Sequence, residues 1–171
     1  MQRIADWLGQ TYLSGVFSDT THLATWLIIP MSQSIHILSI AIVMLSVGVL
    51  NLRMLGVAGT NLTIASVTRR LTPWIWGALL VLFVTGTVQT IAEPDRELLN
   101  MTFGVKMAML AIVIAITVFY QTSVRKDPRY WERSFDRQRG AQLLASLSLV
   151  LWLAIVAAGR LIAYFDLGQY L

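Results

Sequence analysis

The chain contains no cysteine and only two histidines among its 171 residues. The absence of cysteine excludes disulfides, iron–sulfur clusters, thiolate-ligated haem and zinc sites built from cysteine. The two histidines, His22 and His36, are too few for a histidine-rich metal site within one subunit. Any histidine-based metal chemistry in this chain therefore depends on these two residues.

Charged residues are also scarce, at 13% of the chain against a hydrophobic fraction of 56%. A soluble domain carries about 25% charged residues, so much of this surface must face something other than water. The apolar residues fall in four blocks of about 20 residues or more, the length that a helix needs to cross about 30 Å of hydrocarbon. We predict an all-α integral membrane four-helix bundle, with residues 1–171 forming a single transmembrane domain.

The predicted spans cover residues 30–52, 73–92, 101–121 and 140–164. Pro30 suits a first helical turn or a kink, so the first helix either begins there or begins near Thr21 and bends. The Thr72-Pro73 pair predicts a helix N-cap followed by proline at the first helical position. Asn100 predicts the N-cap of the third span.

Two further segments have the pattern of membrane-interface elements. At the N-terminus, an amphipathic helix is predicted with Ile4, Trp7 and Leu8 on one face, either packed on the bundle or lying at the interface. After the third span, Asp127-Pro128 predicts a capped turn whose aromatic residues lie on the interface. Those aromatic residues are Tyr130, Trp131 and Phe135.

Basic residues are concentrated on one side of the predicted bundle. Most of the 13 Lys and Arg residues lie between spans one and two or between spans three and four, whereas the loop between spans two and three is net acidic. This asymmetry predicts cytoplasmic basic loops, with both termini outside. The basic run is interleaved with acidic residues at the inner membrane face, so we expect contact with the lipid bilayer and no nucleic-acid binding.

Polar side chains inside the spans point to a functional site, because such residues are costly in hydrocarbon. His36, Lys106 and Arg160 are ionisable, and Gln89 adds an amide. In the predicted orientation these four residues, one from each span, lie near the outer leaflet. Structural alternatives stay open: the two cations can snorkel to headgroups, Gln89 can bond a neighbouring helix, and His36 can be a hydrogen-bonded core residue.

A haem b site is the sharper hypothesis for this cluster. A neutral histidine inside an apolar four-helix bundle is a common axial ligand of b-type haem, so His36 is the predicted iron ligand. Arg160 and Lys106 would pair with the propionates, and Gly86 would leave room for a ring. A continuous helix would separate the two histidines by about 21 Å. His22 is therefore a candidate second ligand only if the chain turns back between them, or if ligation crosses a subunit interface.

Three segments resemble those of a known group of membrane proteins. They are an S-x-H start with an L-R-x-L-G exit over residues 34–56, N-x-x-F-x-x-K over residues 100–106, and S-L-x-L-W with A-G-R-x-I-A-Y over residues 148–164. These segments are similar to uncharacterised bacterial four-helix proteins loosely related to copper-resistance D-type and b-type cytochrome membrane domains. The resemblance covers about three of the four spans. It implies a haem-binding protein of the bacterial inner membrane, without implying a known reaction.

Three functions are compatible with these features. The first is a b-type haem protein in electron transfer at the outer leaflet, with a quinone or another redox partner. The second is a small oligomeric transporter or channel, which is weakened because all nine Asp and Glu residues lie outside the span interiors. The third is a structural assembly subunit without a cofactor. Small-residue spacings over 104–108 and 154–158 predict close-packing helix faces, and with them a homo-oligomer.

Overall fold

The secondary structure of the described residues is helical. The computed structural model describes residues 2–18, 23–92, 94, 98 and 100–164. Within those ranges the helices are α1 Gln2–Gly9, α2 Tyr12–Ser18, α3 Leu23–Met54, α4 Ile64–Ala92, α5 Met101–Lys126 and α6 Phe135–Tyr164. Helices α3 to α6 are each long and apolar enough to cross a membrane. The predicted all-α class with four membrane-spanning helices is confirmed.

The chain divides into two compact units, and each long helix contributes to both. The first unit contains residues 1–40, 79–107 and 156–171, and the second unit contains residues 41–78 and 108–155. All the described residues that the sequence assigns to the cofactor site fall in the first unit. Both predicted basic loops fall in the second unit.

Helix α1 leaves its apolar face uncovered. Ile4 and Trp7 are exposed, as is Tyr12 at the start of α2. An apolar face that is not packed against its own chain is the arrangement expected of a helix lying at a membrane interface. Of the two predicted placements of this helix, the structure favours the interfacial one.

Helix α3 runs without a break from Leu23 to Met54 and carries Pro30 in its interior. Proline is tolerated inside membrane helices because neighbouring groups satisfy the backbone that it leaves unpaired. Here Ser34 donates a hydrogen bond to the Pro30 carbonyl at 2.8 Å. The helix therefore does not begin at Pro30 but close to Thr21, the second of the two predicted starts, and the chain does not reverse between Leu23 and His36. His22 itself lies outside the described residues.

Helix α4 begins at Ile64, well before the predicted start at Thr72-Pro73. That prediction was wrong because Thr63 supplies the N-cap: its Oγ1 accepts a hydrogen bond from the Ser66 amide at 3.2 Å. Pro73 lies in the helix interior instead of its first turn. The N-terminal end of the predicted second span is correspondingly longer.

Helix α5 begins where its cap predicts. Asn100 Oδ1 accepts a hydrogen bond from the Thr102 amide at 2.9 Å, and the helix starts at Met101. The predicted N-cap is confirmed. The side chain satisfies one of the amide groups that a helix leaves unpaired in its first turn.

Asn100→Ala is expected to lower the free energy of unfolding by about 1 kcal/mol, the usual cost of removing an N-cap side chain. Equilibrium unfolding in mixed detergent micelles measures this quantity. Asn61→Ala serves as the matched control, because Asn61 is exposed in the loop before α4. Equal losses in the two variants would contradict a capping role for Asn100.

Trp131 is the centre of an aromatic cluster in the second unit. It is only 4% exposed, and its ring lies edge-to-face with those of Phe119, Tyr120 and Tyr130 at centroid distances of 5.5, 5.6 and 4.9 Å. The prediction that it lies on the membrane interface was wrong, because three neighbouring rings bury it. The preceding turn is capped as predicted: Asp127 Oδ1 accepts a hydrogen bond from the Arg129 amide at 3.0 Å.

Glu132 joins three parts of the second unit. Its Oε1 accepts a hydrogen bond from the Ile64 amide at 2.9 Å and lies 3.3 Å from Arg53 Nη2. Arg53 Nε in turn donates to the Leu62 carbonyl at 2.6 Å. We call this group the Glu132 clamp. It ties the end of α3 and the first turn of α4 to the turn before α6.

Candidate functional site

His36 lies in α3 and is hydrogen-bonded to α4. Its Nδ1 is 2.7 Å from Thr85 Oγ1. One turn earlier on α3, the Ser32 hydroxyl donates to the Thr85 carbonyl at 3.3 Å. Two side chains of α3 therefore contact the same residue of α4, which holds the imidazole in place beside that helix.

The Thr85 hydroxyl determines which nitrogen of His36 carries the proton. Thr85 Oγ1 lies 2.8 Å from the Val81 carbonyl oxygen. A carbonyl oxygen only accepts, so the single hydroxyl proton is donated to Val81. With the hydroxyl proton assigned to Val81, the hydroxyl oxygen accepts from His36 and Nδ1–H is the donor; the 2.7 Å contact by itself fits either tautomer. The neutral imidazole consequently keeps its lone pair on Nε2, the form in which histidine ligates a metal.

Gly86 borders the imidazole directly. A Cβ atom at this position would lie 3.6 Å from His36 Cε1, which is ordinary van der Waals contact. Alanine is therefore accommodated, whereas a larger side chain would press on the imidazole. Gly86 was predicted to leave room for a porphyrin ring, and that role stays a prediction; the ring that lies beside it in the structure is the imidazole of His36.

Gln89 follows Thr85 by one helical turn, so the two residues share a face of α4. The amide nitrogen of Gln89 is buried and has no hydrogen-bond partner among the described residues. A buried donor without an acceptor is costly in a protein interior. Gln89 therefore offers an unused donor on the helix face that carries the partner of His36.

Two of the predicted site residues in the first unit, Lys106 and Arg160, are positively charged. Lys106, in the second turn of α5, is half-buried and lies within electrostatic range of His36. Its ammonium is 5.9 Å from the centroid of the Phe103 ring. Arg160 is exposed at the end of the membrane-crossing part of α6. The positive charge of Lys106 beside the neutral imidazole of His36 favours an anionic group as their neighbour.

The structure brings the predicted residues together to different degrees. His36 and Gly86 are in contact, Lys106 interacts with His36 electrostatically, and Gln89 shares the Thr85 face. Arg160 belongs to the same unit. Sequence reasoning missed Thr85 as the hydrogen-bond partner. Depth was the available signal, since His36 and Thr85 each lie about two turns from the same predicted membrane surface.

His36 leaves one ring nitrogen that could ligate a metal. Among the described residues there is no group of three or more His, Cys, Asp or Glu side chains that could hold a bare metal ion. A porphyrin supplies four equatorial nitrogens by itself and asks the protein for only one or two axial ligands. The free Nε2 of His36 meets that smaller requirement.

Four apolar helices without a described strand define an all-α, multi-pass membrane protein. The chain belongs to the family of unknown function DUF6644, which it matches over residues 6–165. Membership of an uncharacterised family agrees with that part of the predicted resemblance, and the relation to copper-resistance D-type and b-type cytochrome domains stays a prediction. No curated protein and no solved structure matches the chain.

Proposed function

We propose that this protein binds haem b in its first unit, with His36 Nε2 as an axial ligand of the iron. The observation that carries the proposal is the hydrogen bond from His36 Nδ1 to Thr85, which leaves Nε2 as the free nitrogen. Metal-ligating histidines commonly donate their other ring N–H to an oxygen acceptor, which fixes the tautomer and the ring orientation. Bound haem supplies one-electron chemistry.

The surrounding side chains have matching roles in this proposal. Lys106 and Arg160 provide positive charge for the two propionate groups, and charge-assisted hydrogen bonds are the strongest polar contacts available to a carboxylate. Gln89 contributes its unpaired amide donor. Ser32 and Thr85 hold the imidazole against α4, so the ligand is oriented before the cofactor arrives.

We further propose an electron-transfer role in the bacterial inner membrane, with a quinone or an outer-side protein as the redox partner. The kinship with copper-resistance D-type and b-type cytochrome membrane domains belongs to this proposal. Its support is the predicted orientation, in which the His36 site lies near the outer leaflet and the basic loops are cytoplasmic. A homo-oligomer is proposed on the small-residue spacings of α5 and α6.

Thr85→Val is expected to weaken haem binding by about 10- to 100-fold, the usual effect of losing the partner that orients a metal ligand. Protein purified from haem-replete cells should show a Soret band that shifts on reduction with dithionite. Titration of the haem-free protein with haem then gives the affinity. Thr87→Val is the matched control, because Thr87 is exposed and bonds only the Phe83 carbonyl of its own helix.

Two results would count against these assignments. A wild-type protein without a reducible Soret band would refute haem binding. Equal haem affinities in Thr85→Val and Thr87→Val would refute the orienting role of Thr85 while leaving haem binding itself intact.

A further inference from the structure

A basic cleft opens between α4 and α5 in the second unit. Its volume is about 350 Å³. It combines cationic and polar side chains with a single apolar one. The lining residues are Thr68, Arg69, Thr72, Gln121, Val124 and Arg125.

Gln121 gives the cleft a buried donor without an acceptor. The residue is only 6% exposed, and its Oε1 accepts a hydrogen bond from Trp76 Nε1 at 2.8 Å. An indole N–H can only donate, so this contact fixes the amide with its oxygen toward Trp76. The amide nitrogen is left buried, with no hydrogen-bond partner among the described residues. This nitrogen lacks an acceptor, and a ligand in the cleft could supply one.

Two guanidinium groups supply the charge. Arg69 and Arg125 are both exposed, and neither forms an ion pair with a described carboxylate. Two arginines and one amide donor together can bind an anion with several acceptor oxygens. Phosphate is such an anion, because its oxygens accept bidentate hydrogen bonds from the planar guanidinium fork.

The two threonines supply acceptors in place of donors. The Thr68 hydroxyl donates to the Ile64 carbonyl at 2.8 Å, and the Thr72 hydroxyl donates to the Thr68 carbonyl at 2.7 Å. Each hydroxyl has a single proton, so the remaining lone pairs of both oxygens can only accept. A ligand with hydroxyl groups beside its phosphate can donate to these oxygens, most directly to that of Thr72, since Thr68 is only 2% exposed.

The position of the cleft favours a lipid as the source of that phosphate. Arg69 and Arg125 stand where the apolar runs of α4 and α5 meet the basic loops. That boundary is the level of the phospholipid headgroups, where basic residues attract anionic lipids. The orientation predicted from the basic loops assigns this end to the cytoplasmic leaflet.

We propose that the cleft lined by Arg69, Gln121 and Arg125 binds the phosphodiester of an anionic phospholipid with a hydroxyl-bearing headgroup. The guanidinium groups and the Gln121 amide nitrogen hold the phosphate oxygens. The Thr68 and Thr72 oxygens accept from the headgroup hydroxyls. This site is separate from the His36 site and does not depend on haem.

Native mass spectrometry of the full chain in detergent, titrated with phosphatidylglycerol, phosphatidic acid and phosphatidylcholine, tests the proposal. Phosphatidylglycerol is expected to bind at least about tenfold more tightly than phosphatidylcholine, which corresponds to one charge-assisted hydrogen bond. Arg69→Gln/Arg125→Gln should remove that preference. Arg70→Gln/Arg129→Gln removes the same charge from exposed positions outside the cleft and should keep it.

Gln121→Glu tests the buried donor separately. Glutamate keeps an acceptor for Trp76 but replaces the amide donor with a negative charge, so the preference for phosphatidylglycerol should be lost without unfolding. Equal binding by the two double-arginine variants would overturn the site. Equal affinity for phosphatidic acid would overturn the hydroxyl contacts. Displacement of the lipid by inorganic phosphate at equal concentration would overturn the lipid as the natural source.

Discussion

Replacing His36 by alanine is expected to reduce bound haem to background while the four long helices stay folded. His36 is the predicted iron ligand. Thr85 engages its Nδ1, so Nε2 is the nitrogen left to bind iron. Alanine removes the iron ligand and leaves the Thr85 hydroxyl bonded to its own helix, so no buried group loses its last partner. The reduced-minus-oxidised spectrum and the haem content per chain measure the effect.

His36→Met provides the matched variant. The thioether is a weaker iron ligand that raises the reduction potential of a haem otherwise held by histidine. This variant should therefore retain part of the haem and show a higher midpoint potential. Circular dichroism and gel filtration report whether each variant is folded. If His36→Ala keeps the wild-type spectrum and only becomes less stable, His36 is a packing residue and the haem assignment fails.

Glu132→Ala is expected to lower the free energy of unfolding by about 3 kcal/mol, because hydrogen bonds to charged groups are worth about 1.5–3 kcal/mol each and their loss leaves partners unpaired. The substitution removes the acceptor of the Ile64 amide and the ion-pair partner of Arg53. Both charged side chains are partly buried, at 15% exposure for Arg53 and 28% for Glu132, so solvent screens them only in part. Equilibrium unfolding in mixed micelles gives the value.

Two companion variants separate charge from shape in the Glu132 clamp. Glu132→Gln keeps one acceptor oxygen for Ile64 and loses the charge, so its cost should fall between those of wild type and alanine. Arg133→Ala breaks the neighbouring ion pair between Arg133 and Asp127. The Arg133 side chain is 67% exposed. Exposed pairs contribute about 0–1 kcal/mol, so this control should change stability little. An equal loss in Arg133→Ala and Glu132→Ala would contradict the clamp.

The four crossings were predictable because they depend on length and apolar composition alone, which are local properties. The start of α5 was predictable for the same reason, since Asn100 caps a helix that begins at the next residue. The start of α4 was predictable only in part, because its N-cap Thr63 is the preceding residue but its first amide has a distant partner. The first amide of that helix is satisfied by Glu132, which is 68 residues away in the chain. A proline that reads as a helix start is an interior residue once such a contact extends the helix.

The candidate site was also predictable only where its features are local. His36 is conspicuous in the sequence as an ionisable residue inside an apolar run, and its charge environment follows from the topology. Its tautomer does not follow, because it is set by the hydroxyl of Thr85 on another helix. Trp131 was misassigned for a related reason. A tryptophan in a polar loop has the pattern of an interfacial anchor, and only the positions of three other rings show that it is buried.

The Glu132 clamp has a consequence for how the protein is made. Glu132 is 79 residues from Arg53 and 68 residues from Ile64 in the chain. Both partners leave the ribosome, and α3 and α4 can enter the bilayer, before the carboxylate that joins them is synthesised. Arg53 and the Ile64 amide therefore lack this partner until α5 has been synthesised. Closure of the loop between α3 and α4 is therefore a late step in the folding of the chain.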